Sequence, residues 1–149
     1  MSATRGSLLI AGGALTASSH AVFRTLTELA DGGRIAVFGT ASSEPLRVAA
    51  LAVADIDEAG GIATALEVTR QSSSDPELLE ELRGCAGFWF EGGDQRRITA
   101  AFADTPALEV IRERFQAGAV IGGTSAGAAI ITSPIIAAPA DVPPITAPA

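Results

Sequence analysis

The stretch Ala119-Val120-Ile121-Gly122-Gly123-Thr124-Ser125-Ala126-Gly127-Ala128-Ala129 decides how the chain is read. A short apolar run passes into Gly123-x-Ser125-x-Gly127, and small residues that suit a helix follow. This is the sequence form of a nucleophile elbow, a sharp strand-to-helix turn that thrusts one side chain out at the carboxyl end of a sheet. Glycines flank such a residue because a Cβ there would collide with neighbouring backbone. The helix that follows aims its free N–H groups and positive dipole end at the same point, which suits a developing oxyanion. Ser125 is therefore a candidate nucleophile, and the Ala126 N–H a candidate oxyanion donor. The same residues also read as a close-packing or anion-binding strand-to-helix junction.

Moving outward, short apolar runs alternate with amphipathic stretches, the pattern of a parallel sheet with crossover helices. Expected strands are Ser7 to Ile10, Ile35 to Phe38, Ala63 to Val68, Gly87 to Phe90 and Ala119 to Ile121. Gly87-Phe88-Trp89-Phe90 is wholly apolar, as in a strand buried on both faces. Expected helices run from about Ser18 to Ala30, from Pro45 to Ala59, from Pro76 to Gly84, from Arg96 to Phe102 and from Thr105 to Phe115. Proline in the first turn and glycine just past the end mark several of them. From Pro134 onward the residues show no period and carry five prolines, at 134, 139, 143, 144 and 148. The expected organisation is one domain over residues 1–133 with a poorly ordered Pro/Ala-rich tail over 134–149.

Composition narrows the function classes. The chain has 149 residues and a net charge of −7, and all ten basic residues are arginine. No basic stripe is left to follow a phosphate backbone, so neither nucleic acid nor an anionic membrane is an expected partner. Mean hydropathy is +0.36, yet no uninterrupted apolar run approaches the ~20 residues of a membrane span. Gly12-Gly13 interrupt the apolar start too early for a secretory leader, and a cytoplasmic location is the default. One cysteine and one histidine exclude a disulfide scaffold and a multi-cysteine zinc site. No metal or other cofactor is expected. Cys85 and Trp89 read as core residues.

A second constellation, Gly92-Gly93-Asp94-Gln95, ends the fourth strand on the same carboxyl edge of the sheet, where open α/β sheets hold ligands. The glycines allow close backbone approach with N–H groups presented, and Asp94 and Gln95 add an acceptor and an amide. Taken alone, Asp94 reads better as a helix N-cap. Gly12-Gly13 lack the spacing of a dinucleotide fingerprint.

Together, Phe90-Glu91-Gly92-Gly93-Asp94-Gln95-Arg96-Arg97, Thr105-Pro106, Ile111-Arg112 and Gly118 through Ala129 closely resemble the cyanophycinase and aspartyl dipeptidase family of serine peptidases, peptidase family S51. Thr40-Ala41-Ser42-Ser43-Glu44-Pro45 fits as well, and the resemblance runs to about Ile136. It implies a three-layer α/β/α domain with a mainly parallel sheet of about five strands, flavodoxin-like or class I glutamine amidotransferase-like. Serine in place of the cysteine of those amidotransferases argues against a glutaminase. The implied activity is exopeptidase hydrolysis of β-aspartyl bonds in cyanophycin, releasing β-Asp-Arg dipeptides through an acyl-enzyme. The implied roles are Ser125 as nucleophile, the Ala126 and Gly93 N–H groups as oxyanion donors, and Gly92, Asp94 and Gln95 as substrate contacts. The implied partner is a peptide, either the β-aspartyl-arginine polymer or a dipeptide.

One departure bears on activity. In the family a histidine base and an acidic partner follow the elbow helix, whereas no histidine follows Ser125 here. Asp141 stands roughly where related dipeptidases place the acid. His20 is a conceivable base only if it reaches Ser125; otherwise it is a solvated residue at a helix start. The expectation is a C-terminally truncated domain, retaining without its base ~10³–10⁴-fold catalysis over water. The alternative is a non-catalytic ligand-binding or interaction module on the same fold. Dimerisation is expected if the elbow strand lies at a sheet edge.

Overall fold

Cys85-Ala86-Gly87-Phe88-Trp89-Phe90 forms the central strand of a five-stranded, wholly parallel sheet. The computed structural model describes residues 6–11, 19–125 and 127–128. In chain order the elements are β1 (Leu8–Ala11), α1 (Ser19–Leu29), β2 (Arg34–Phe38), α2 (Pro45–Glu58), β3 (Ile62–Ala65), a 3₁₀ turn (Ser72–Ser74), α3 (Pro76–Arg83), β4 (Cys85–Phe90), α4 (Gln95–Phe102), α5 (Pro106–Gln116) and β5 (Val120–Thr124). The strand order is β1-β5-β4-β2-β3.

The period of two along each strand divides the core into two layers. Ala36, Phe38, Phe88, Phe90 and Ile121 pack with residues of α3, α4 and α5 on one face. Ile35, Val37, Trp89 and Val120 pack with α1 and α2 on the other. Phe38 anchors the first layer, its ring lying 4.8 Å from that of Phe90 and 5.2 Å from that of Phe102. Phe23 of α1 meets Trp89 edge-on at 5.2 Å in the second layer. Aromatic contacts of this kind stabilise by about 0.5–1.5 kcal/mol beyond the area they bury.

Helix starts follow local chemistry. The Asp75 side chain accepts from the Glu77 N–H ahead of α3, and the Thr105 hydroxyl accepts from the Leu108 N–H ahead of α5. Proline occupies the first turn of α2, α3 and α5. Cys85 is buried, as expected of a core residue, and its thiol donates to the Glu81 carbonyl at 3.3 Å. Burial pushes that thiol pKa up, which makes it a poor nucleophile.

β4 begins earlier than expected, at Cys85, so that residue is part of the strand, and the ends of β3 and β5 differ most from expectation. β3 stops at Ala65, paired with Val37, although Val68 beyond it is still buried. It is an edge strand whose single neighbour, β2, ends at Phe38. β5 runs on to Thr124, so Gly122 and Gly123 are strand residues rather than the start of the turn. Gly122 pairs with Leu9 on one side and Trp89 on the other, and a Cβ on it would lie 2.7 Å from the Trp89 ring. Glycine here is room for the indole. The elbow strand is also internal, between β1 and β4, so the edge argument for a dimer does not hold. Asp141, the 133/134 domain boundary and the Pro/Ala-rich tail lie outside the described residues.

Gly122→Ala is predicted to destabilise the fold by about 1–3 kcal/mol, the usual cost of overpacking a filled core. Urea unfolding checks it: an unchanged midpoint would mean that Trp89 yields freely.

Candidate active site

α2 carries the chain from β2 across one face of the sheet, and α4 with α5 carries it from β4 across the other. The crevice outside the carboxyl ends of β2 and β4 is therefore a topological switch point, the usual ligand position in an open α/β sheet. Ser125 stands beside it, at the end of β5.

Ser125 is exposed and has φ +54, a left-handed conformation for a residue that carries a Cβ. Such a conformation costs roughly 1–2 kcal/mol and persists only where the surroundings enforce it. The enforcement is visible on three sides. The Ser125 N–H donates to the Ala11 carbonyl of β1 at 3.3 Å. Gly92 lies so near that a Cβ on it would sit 3.0 Å from the Ser125 Cβ. Gly127, already helical, lies where a Cβ would come within 2.1 Å of the Phe90 carbonyl oxygen. β1, β4 and the turn after β4 thus clamp the strand-to-turn junction at Ser125.

The turn after β4 is held in turn by β2 and its loop. The Glu91 N–H donates to the Phe38 carbonyl at 2.9 Å, and the Asp94 N–H to the Ala41 carbonyl at 2.8 Å. Gly93 takes φ +147 with its α-carbon close against Ala41, where a Cβ would lie 2.2 Å from the carbonyl oxygen. Only glycine fits that position. Beside Ser125 opens a cleft of about 390 Å³, lined by Gly92, Gly93, Thr124, an apolar wall that includes Phe23 and Ala52, and two carboxyl groups, Glu91 and Asp55.

The structure thus gathers Gly92, Gly93 and Ser125. Asp94 and Gln95 do not line the cleft. Asp94 caps α4 by accepting from the Arg96 N–H at 2.9 Å, and it pairs with the Arg96 guanidinium at 2.8 Å. Those bonds hold its carboxyl pKa below the ordinary value. The cap reading of Asp94 is the one these bonds describe. The Gln95 residue is exposed at the start of α4. His20 is exposed in the first turn of α1 and does not line the cleft. Among the described residues no side chain hydrogen-bonds to the Ser125 hydroxyl. Ala126 lies outside the described residues.

Glu91 was not singled out by its sequence context, yet it is the most perturbed carboxyl in the cleft. It is half-buried, and its Oε1 accepts from the Trp89 Nε1–H at 3.2 Å. Burial raises its pKa above the ordinary 4.5, and Asp55 adds to the rise, while the Trp89 and Gly92 N–H groups oppose it. A usable signal was present: residues two apart on a strand share a face, so Glu91 follows Trp89 toward α1 and α2.

The family model for peptidase family S51 matches residues 8–149. The chain belongs to peptidase family S51. A cyanophycinase of Trichormus variabilis is 31% identical over 91% of this chain and 47% of its own length. A cyanophycinase of Geminocystis herdmanii is 38% identical over 69% of this chain and 39% of its own. The chain therefore spans less than half the length of these relatives. The crystal structure of a peptidase from an acI-B1 Actinobacterium superposes with a TM-score of 0.76 at 24% identity, covering 87% of this chain and 58% of that one. It shares the fold. No helix among the described residues is long and apolar enough to cross a membrane.

Two stability predictions follow from the site. Ser125→Gly removes the left-handed strain and is expected to raise stability by about 1 kcal/mol in urea unfolding; a loss of stability would contradict the strain. Glu91 binds its proton more tightly folded than unfolded, so its contribution is fullest below about pH 4.5 and is lost as pH rises through the raised folded value. Glu91→Gln should accordingly gain on the wild type in urea midpoint as pH rises through that window. A constant difference would deny the shift.

Proposed function

We propose that the chain carries the nucleophile part of a serine exopeptidase site resembling that of cyanophycinase. It would hydrolyse β-aspartyl peptide bonds of cyanophycin to β-Asp-Arg dipeptides. The observation that carries this reading is Ser125 itself, held at φ +54 and exposed beside a cleft at the switch point of the sheet. Strain maintained at an exposed serine by three neighbouring segments suits a nucleophile. Membership of family S51 and the relatives named cyanophycinase support the reaction class and the substrate.

In this reading the Ser125 oxygen bonds to the scissile carbonyl carbon as its proton passes to a base. Negative charge then gathers on the carbonyl oxygen, where the N–H groups of Gly93 and Ala126 receive it. Collapse breaks the C–N bond, the departing amine takes the proton, and water resolves the acyl-enzyme by the same steps in reverse. Asp141 is assigned the acidic partner by position in the sequence, and Gln95 a substrate contact. The family histidine has no counterpart after Ser125 in this sequence.

A second reading, a non-catalytic peptide-binding module, is favoured by one observation: no described side chain engages the Ser125 hydroxyl. Incubation with cyanophycin and with β-aspartyl-arginine conjugates separates the two. Release of dipeptide or free amino acid, lost at least ~10³-fold in Ser125→Ala, supports the peptidase. Saturable binding without release, unchanged in Ser125→Ala, would establish the module instead.

A further inference from the structure

Glu91 has no part in the chemistry above, yet it stands between the buried core and the nucleophile. Its backbone N–H is fixed on β2 through the Phe38 carbonyl. Its carboxyl is fixed on β4 through the Trp89 indole. The next residue, Gly92, is the one against which the Ser125 side chain packs. Glu91 also lines the cleft that Ser125 lines. We propose that Glu91 is a positioning residue for Ser125: anchored on Trp89, it holds the Gly92 turn against the serine, and it places a titratable charge in the cleft so that Ser125 reacts faster when Glu91 is neutral than when it is ionised.

The sign follows from the charges that face the cleft. α1 contributes Phe23, which is uncharged, β5 contributes Thr124, and the turn after it contributes Ser125. α2 contributes Asp55, of the same sign as ionised Glu91. Asp94 of the same turn is neutralised by Arg96 outside the cleft. No basic side chain lines the cleft among the described residues. A negative charge forming on the Ser125 oxygen, or on a substrate oxygen beside it, therefore meets only repulsion from ionised Glu91. A neutral carboxyl still offers its carbonyl oxygen to the Trp89 N–H, so the anchor survives protonation. Burial raises the Glu91 pKa, which moves the change toward neutral pH.

This inference rests on Ser125 being the reactive residue of the site, and its test is built to stand apart from peptidase activity. Ser125→Cys puts a thiol at the elbow, while the native Cys85 is buried. Alkylation of residue 125 by iodoacetamide, mapped by mass spectrometry across pH, is compared with Glu91, Gln or Ala at position 91. Glu91→Gln keeps an acceptor for Trp89 without charge, and should react about three- to tenfold faster near neutral pH, equivalent to a thiol pKa lower by up to one unit. The advantage should vanish at pH values below the Glu91 titration. Glu91→Ala, which leaves the Trp89 N–H without its acceptor and the turn unanchored, should lose that advantage. The chain has one tryptophan and no tyrosine, so emission from Trp89 should titrate with Glu91 in the Ser125→Cys protein and lie flat in Glu91→Gln. Equal alkylation with Glu or Gln at every pH, or equal behaviour of Gln and Ala, would overturn the proposal. Coupling without any peptide hydrolysis would sink the peptidase reading and leave this one standing.

Discussion

β5 runs between β1 and β4 so closely that side chains are excluded at its critical points, and the rest of the site depends on that approach. The Trp89 ring lies over Gly122, and the Phe90 carbonyl lies over Gly127. A side chain at Gly122 would push β5 away from the central strand, and one at Gly127 would push the chain beyond the turn away from Phe90. With β5 held in place, its last residue continues into a turn that has no conformation free of strain for a residue with a Cβ. Ser125 takes φ +54, and its N–H is secured on Ala11 at 3.3 Å. The strain is thus supported by core packing on one side and by an outer strand on the other. A gap opened at Gly122 would be felt at Ser125, a few residues away.

The second support is the turn after β4. It is tied to β2 by two backbone hydrogen bonds, and its glycines are where the elbow and the Ala41 loop come into contact. Three strands therefore converge on one small polar region. The same turn brings a carboxyl into the cleft, and the cleft carries acids without a lining base among the described residues. That charge balance is unfavourable to a naked oxyanion. Backbone N–H groups at the Gly93 turn and after Ser125 are the donors that could offset it.

Most of the fold was legible because the deciding information was local. Prolines and Asp or Thr caps fix where α3 and α5 begin, and wholly apolar β4 can only be a strand buried on both faces. The end of β5 in a tight turn at Ser125 was legible for the same reason. The errors fall where a distant residue decides. Gly122 and Gly123 look like turn glycines until Trp89 and Phe90 are seen opposite them. Glu91 reads in the sequence as an isolated acid after an apolar strand; the one signal it carries, a face shared with Trp89, gains meaning only from the helices that cover that face.

The central claim is that the clamped elbow makes Ser125 a reactive nucleophile rather than a surface hydroxyl. Exposure of the folded chain to a fluorophosphonate, followed by peptide mapping, tests it most directly. The account predicts a single phosphonyl adduct on the peptide containing Ser125, formed far faster than on any other serine and absent from unfolded protein. Folded protein that stays unmodified, or is modified evenly over many serines, would contradict it.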